Sequence, residues 1–107
     1  MRLTVQGTHI RPTPAIVEHV QRKLGGALGR LRHRVLGVSV TLDDENGPRG
    51  GVDKACRVRV ALAGVPGHPV IVEQRSEDLY SAIDAASKRA ARAVRRSVGK
   101  QRDRRRS

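Results

Sequence analysis

The chain has 107 residues, and 22 lysines and arginines against 10 acidic residues leave a net charge of +12. That length fits one domain, because two independent cores would each fall in the size range where stability is marginal. Cys56 is the only cysteine, which excludes an internal disulfide scaffold, and no apolar run approaches the ~20 residues of a membrane span. The Met1–Gly7 segment has neither the apolar stretch nor the cleavage site of a secretory signal, which points to a cytoplasmic, reducing location. With 37% hydrophobic residues, no Phe or Trp, and Tyr80 as the only aromatic, the core must be built from Val, Leu, Ile and Ala.

Arg2-Leu3-Thr4-Val5-Gln6 alternates and predicts a short strand with Leu3 and Val5 inward, closed by Gly7. Thr13 is a good N-cap, with Pro14 at the first helical position. Ile16, Val17, Val20, Leu24, Ala27, Leu28 and Leu31 then recur at three- and four-residue steps, predicting an amphipathic helix over 14–31. Arg22, Lys23 and Arg30 fall on its wetter sides. Gly25, Gly26 and Gly29 each weaken that helix by ~1 kcal/mol relative to Ala. They would equally allow close approach of a sheet or an RNA backbone.

Three strands follow. Val38, Val40 and Leu42 alternate with Ser39 and Thr41, and Cys56, Val58, Val60 and Leu62 alternate with Arg57, Arg59 and Ala61. Val70 and Val72 alternate with Ile71 and Glu73. Each has one apolar and one largely polar face, as expected of a sheet covered on a single side. The turn-rich Asn46–Gly51 link and the tighter Gly64–Gly67 link predict antiparallel hairpins.

The last segment has the clearest period. Ser76 is a plausible N-cap, followed by Glu77 and Asp78 at the positive helix start. Leu79, Ala82, Ile83, Ala86, Ala90, Ala93 and Val94 share one arc, opposite Lys88, Arg92 and Arg95, with Arg89 and Arg96 along a shoulder. From Asp78 to Ser107 there are ten basic residues and three acids, a surplus of seven. Residues 100–107 have no apolar period and are expected to form a basic, disordered tail behind a domain spanning 1–99. The order β-α-β-β-β-α predicts an α+β fold with a four-stranded, mostly antiparallel sheet and both helices on one face.

Nothing in the sequence assembles a catalytic group. His9, His19, His33 and His68 are scattered and read as surface or loop residues, and no cofactor-binding glycine loop is present. Cys56 lies in an inward series and reads as a buried, inert thiol. Asp43-Asp44-Glu45-Asn46-Gly47 superficially offers hard oxygen ligands but lacks the spacing of a calcium loop. It reads instead as a solvated loop offsetting Arg49, Lys54 and Arg57, or as a segment that repels RNA. We therefore expect no enzyme activity, no metal and no small-molecule cofactor.

So large a positive charge calls for a polyanionic partner. One aromatic cannot stack several bases, so recognition must work through guanidinium contacts to phosphates and follow RNA shape rather than base sequence. Six to ten such contacts would cost ~10³–10⁵ in affinity between about 50 and 200 mM salt. A membrane is disfavoured, because the apolar face of the last helix is mostly Ala. The alternative is a regulatory module whose basic helix binds an acidic protein.

The element order, together with Asp78-Leu79-Tyr80-Ser81-Ala82-Ile83-Asp84 leading into a basic helix, resembles the ribosome hibernation-promoting factor/protein Y family, also known for ribosome-associated inhibitors and sigma-54 modulation proteins. The resemblance spans about residues 1–100. It implies binding to small-subunit rRNA in the channel used by mRNA and tRNA, blocking translation and preserving idle ribosomes. It also implies an rRNA-facing set of Arg22, Lys23 and Arg30 in the first helix and Lys88, Arg89, Arg92, Arg95, Arg96 and Lys100 in the last. The Asp43–Gly51 segment is longer and richer in Gly than is typical, which marks a divergent member. The length leads us to expect the short type, without the C-terminal domain that pairs ribosomes.

Overall fold

The computed structural model describes residues 2–44, 53–64 and 69–106, with side chains as far as Lys100. The observed order is β1 (Arg2–Thr8), α1 (Pro14–Leu28), a 3-10 helix (Gly29–Arg34), β2 (Val35–Asp44), β3 (Lys54–Leu62), β4 (Val70–Ser76) and α2 (Leu79–Arg106). The strands form one sheet in the order β1-β2-β3-β4. β1 runs parallel to β2, while β2–β3 and β3–β4 are antiparallel. A parallel neighbour needs a crossover, and α1 supplies it.

The alternation predicted from the sequence sets the inward face. Val38, Val40, Leu42, Cys56, Val58, Val60, Leu62, Val70 and Val72 are all buried, with Leu3 and Val5 packed partly against them. Both helices close this face: α1 through Ile16, Val20, Leu24 and Leu28, and α2 through Leu79, Ala82, Ile83, Ala86, Ala90, Val94 and Val98. α2 crosses β3 and β4, and α1 lies beside it toward β1. Small Ala side chains on α2 let these layers approach closely. The expected α+β architecture is the one observed.

Several local expectations change. The α-helix ends at Leu28 rather than 31, and residues 29–34 tighten into the 3-10 turn that delivers the chain to β2. Glycines at 25, 26 and 29 lower helix propensity where that change occurs. Thr13 caps α1 as predicted, its hydroxyl accepting from the Ile16 amide at 3.2 Å. α2, however, is capped by Asp78 rather than Ser76. The Asp78 carboxylate accepts from the Ser81 amide at 3.2 Å and from the Ser81 hydroxyl at 2.9 Å, while the Ser76 hydroxyl accepts from the Asp78 amide.

The buried face of α2 is also wider than the predicted arc. It takes in Ser87 and Ala91, because α1 packs along its flank. The backbone of α2 is helical to Arg106. Lys and Arg are good helix formers, and cations suit a helix C-terminus. The Asn46–Gly51 link lies outside the described residues, as does the Gly64–Gly67 link apart from Gly64.

Candidate nucleic-acid interface

α2 carries four arginines at positions 89, 92, 95 and 96, a three-to-four-residue rhythm that keeps them on neighbouring stripes of the helix. With Val72 of β4 they line a groove of about 430 Å³ that contains no acidic side chain among its described lining. One of them is anchored: Arg89 Nη1 donates to the Glu73 carbonyl oxygen at 3.2 Å. That bond also occupies an acceptor of β4, an edge strand whose exposed polar groups would otherwise invite another chain.

A second groove, about 420 Å³, runs between the helices and is lined by Arg22, Lys23, Gly26, Ala27, Asp84, Ser87 and Lys88. Here α1 contributes a basic wall, with small residues at Gly26 and Ala27. Ser87 is buried and already satisfied, its hydroxyl donating to the Ile83 carbonyl at 2.8 Å. A third groove, about 430 Å³, continues across the outer side of α2 past Gln74, Asp84, Lys88, Arg89 and Arg92. Lys88 borders the last two grooves, and Arg89 and Arg92 border the first and third, so the three merge into one cationic surface.

Seven of the nine candidate residues are therefore brought together: Arg22, Lys23, Lys88, Arg89, Arg92, Arg95 and Arg96. Arg30 and Lys100 are exposed but line none of these three grooves. Arg30 stands in the 3-10 turn, and Lys100 is more than a helical turn beyond Arg96.

Among the described lining residues, Asp84 is the one acid within this surface, and sequence reasoning gave it no part there. Its Oδ1 stands 2.7 Å from His19 Nε2 and 3.9 Å from Lys23 Nζ. His19 is not the surface histidine expected: its side chain is 12% exposed and meets the Tyr80 ring edge-on at 4.8 Å between centroids. Tyr80 is accordingly an interhelical packing residue that keeps one edge exposed. Pairing of residues 65 positions apart leaves no local signal in the sequence.

The other candidate chemistry resolves into structure. Cys56 is 1% exposed, and burial pushes its thiol up to about 12, so it is held protonated and inert as predicted. In the acidic segment, Asp43 pairs with His9 at 3.0 Å and Asp44 with Lys54 at 3.4 Å, while Lys54 also reaches the buried Asp53 at 3.4 Å. Burial opposes the Lys54 charge, but the Asp53 hydrogen bond and the fields of Asp44 and Asp53 outweigh it and hold the ammonium above its usual pKa. Among the described residues, no three His, Cys, Asp or Glu side chains converge as a metal site. Nor is any described helix long and apolar enough to cross a membrane.

Fold and surface together define a small, basic α+β domain that displays guanidinium groups along one long helix. The chain belongs to the Sigma 54 modulation protein / S30EA ribosomal protein family, whose profile matches residues 3–102. This is a non-enzymatic class of ribosome-associated protein. The chain is 32% identical over 97 residues to a ribosome hibernation promotion factor of Bacillus subtilis, covering 90% of this chain and 48% of that protein. It is 28% identical over 96 residues to a chloroplastic ribosome-binding factor of Spinacia oleracea, covering 90% of this chain and 32% of that one. The chain thus spans about half or less of the length of these relatives.

Among solved structures, the N-terminal domain of Thermus thermophilus Protein Y matches with a TM-score of 0.72 and 30% identity, over 90% of this chain and 98% of that one. A ribosomal subunit interface protein from Coxiella burnetii shares the fold, with a TM-score of 0.75 and 18% identity over 92% and 99% of the two chains.

Proposed function

We propose that this domain binds small-subunit rRNA through the cationic surface of α1 and α2, occupying the channel used by mRNA and tRNA. By filling that channel it inhibits translation and holds ribosomes in hibernation, acting in the cytoplasm. The observation that carries the proposal is the convergence of Arg89, Arg92, Arg95 and Arg96 on one groove with no acidic side chain among its described lining. A fixed array of planar guanidinium forks suits bidentate contact with phosphates, and a rigid helix presents it by shape rather than by base sequence. Relatives named for ribosome hibernation and ribosome binding support the same partner.

The test is ribosome co-sedimentation of the double reversal Arg92→Glu/Arg96→Glu, with polysome profiles recording the fraction entered. Both side chains are exposed, so the fold should persist by circular dichroism while pelleting with small subunits is lost at moderate salt. Undiminished pelleting would refute this docking face. Nuclease treatment separates rRNA from an acidic protein partner, since only the latter association survives removal of RNA.

A further inference from the structure

The helices cover one face of the sheet, and the opposite face carries a separate cluster of positive charge. Arg57 and Arg59 stand two residues apart on β3 and pair in register with Thr41 and Ser39 of β2. Ser39 in turn pairs with Thr4 on β1, two residues from Arg2. Alternation puts these side chains opposite the buried Val58 and Val60, away from α1 and α2. Arg2, Arg57 and Arg59 are all exposed, and among the described residues none makes an ion pair or side-chain hydrogen bond. Between Arg2 and Arg59 the surface sinks into a depression of about 280 Å³ that Gly37 and Ser39 help to line.

Among the described residues, the acids near this cluster are outnumbered and each also faces another cation. Glu73, opposite Arg57 in the register, lies 3.8 Å from Arg75, and Asp43 at the far end of β2 is taken by His9. The remaining charge is positive and set among hydroxyl groups. Along β3 the two arginines are separated by about 6–7 Å, two strand residues, a step comparable with that between successive phosphates on one strand. A protein partner would need an apolar anchor pocket. Leu36 does border the depression, but it shares that lining with Arg2, Thr4, Ser39 and Arg59, and the exposed Ile71 stands apart beyond β3.

We propose that this sheet face is a second phosphate-binding surface, which takes an RNA segment distinct from the one held by α2. One domain then bridges two RNA segments from opposite sides. This surface does not depend on the helix-face reading, and either can fail alone.

The test counts binding sites for a short RNA hairpin by native mass spectrometry and titration calorimetry, using the whole chain. Two hairpins should bind per wild-type chain at low salt. Arg57→Glu/Arg59→Glu should remove one of them and lower the salt slope of the total by about 1 per arginine, with an unchanged melting curve. Arg57→Gln/Arg59→Gln, which preserves strand-compatible side chains, should weaken the same site if the reversal proves unstable. Arg92→Glu/Arg96→Glu should remove the other site only. A single site indifferent to both changes at 57 and 59 overturns the proposal. So does a sheet face that captures polyglutamate in preference to RNA.

Discussion

His19 and Asp84 tie the two helices together, imidazole Nε2 standing 2.7 Å from the carboxylate Oδ1. On the other side of the ring, Arg22 reaches Nδ1 at 3.2 Å. A guanidinium has only donors, so Nδ1 accepts and Nε2 carries the proton directed at Asp84. The bridge holds Arg22 and Lys23 of α1 beside Lys88 of α2, at the groove that the proposed rRNA contact uses.

Asp84→Ala and Asp84→Asn should therefore separate stability from binding. Loss of the acceptor in Asp84→Ala costs about 1 kcal/mol, lowering the melting temperature by ~4–8 °C. Asp84→Asn keeps a carbonyl acceptor for the imidazole and removes only the charge. It should melt near wild type and bind RNA a few-fold more tightly at low salt. Weaker RNA binding by the Asn variant, measured by fluorescence anisotropy, would show that phosphates do not enter this groove.

The α1 glycines give a second separation. A Cβ built at Gly25 or Gly26 meets nothing within 4 Å, so neither glycine is needed for packing. Alanine at either site should stabilise the fold by ~0.5–1 kcal/mol in urea titrations. Only Gly26 lines the interhelical groove, and only there would the added methyl stand where an RNA backbone approaches. Gly26→Ala should lose RNA affinity while gaining stability, and Gly25→Ala should gain stability alone.

This contrast marks how far the sequence could be read. Strands, inward faces and the arginine stripe of α2 follow from period-two and period-3.6 patterns, and the Thr13 cap from residue type beside Pro14, all of which depend on neighbours a few residues away. The same patterns could not place Ser87 and Ala91 inside, because their burial comes from α1 lying along α2. Nor could they choose between Ser76 and Asp78 as the cap, since both residue types cap well and only the chain's exit from β4 decides. The glycines of α1 were legible as weak helix formers, but not as open positions. The acid within the basic surface, Asp84, depends on a tertiary contact with His19 that no spacing encodes.

Alkaline pH should weaken the fold through β3. In the unfolded chain the Cys56 thiol titrates near its ordinary 9.0, but in the fold only at about 12. Above about pH 9 the unfolded state binds fewer protons than the native one, so stability falls as pH rises toward the folded value. Lys54 acts in the same direction. Its folded pKa is raised, so its contribution is complete below the usual lysine value of 10.5 and is lost as pH climbs through the folded one. Urea midpoints should fall above about pH 9, and Cys56→Ala should flatten the first part of that decline. At neutral pH, thiol reagents should label Cys56 no faster than the chain unfolds.

Gly7 should tolerate no side chain. A Cβ there would overlap the Ile10 carbonyl oxygen and touch Pro12 Cδ at 3.0 Å, because the chain folds back after β1 through His9 at φ 62°. The obstacle is backbone and cannot swing aside. Gly7→Ala should destabilise by a few kcal/mol, the scale of core overpacking, and be visible as a marked drop in melting temperature.

Removing residues 100–107 should separate charge from fold. The last buried side chain among the described residues is Val98, so the described core lies outside the deletion. The deleted segment carries five basic residues and one acid, a net +4. If it acts as a basic extension of a domain spanning 1–99, the truncated chain should melt within a few degrees of the full one. Its RNA affinity should fall less steeply with salt, the slope of log K against log salt decreasing by up to about 4. A large loss of thermal stability would instead place the end of the folding unit beyond residue 99. An unchanged salt slope would show that these charges do not reach the phosphates held by Arg89, Arg92, Arg95 and Arg96.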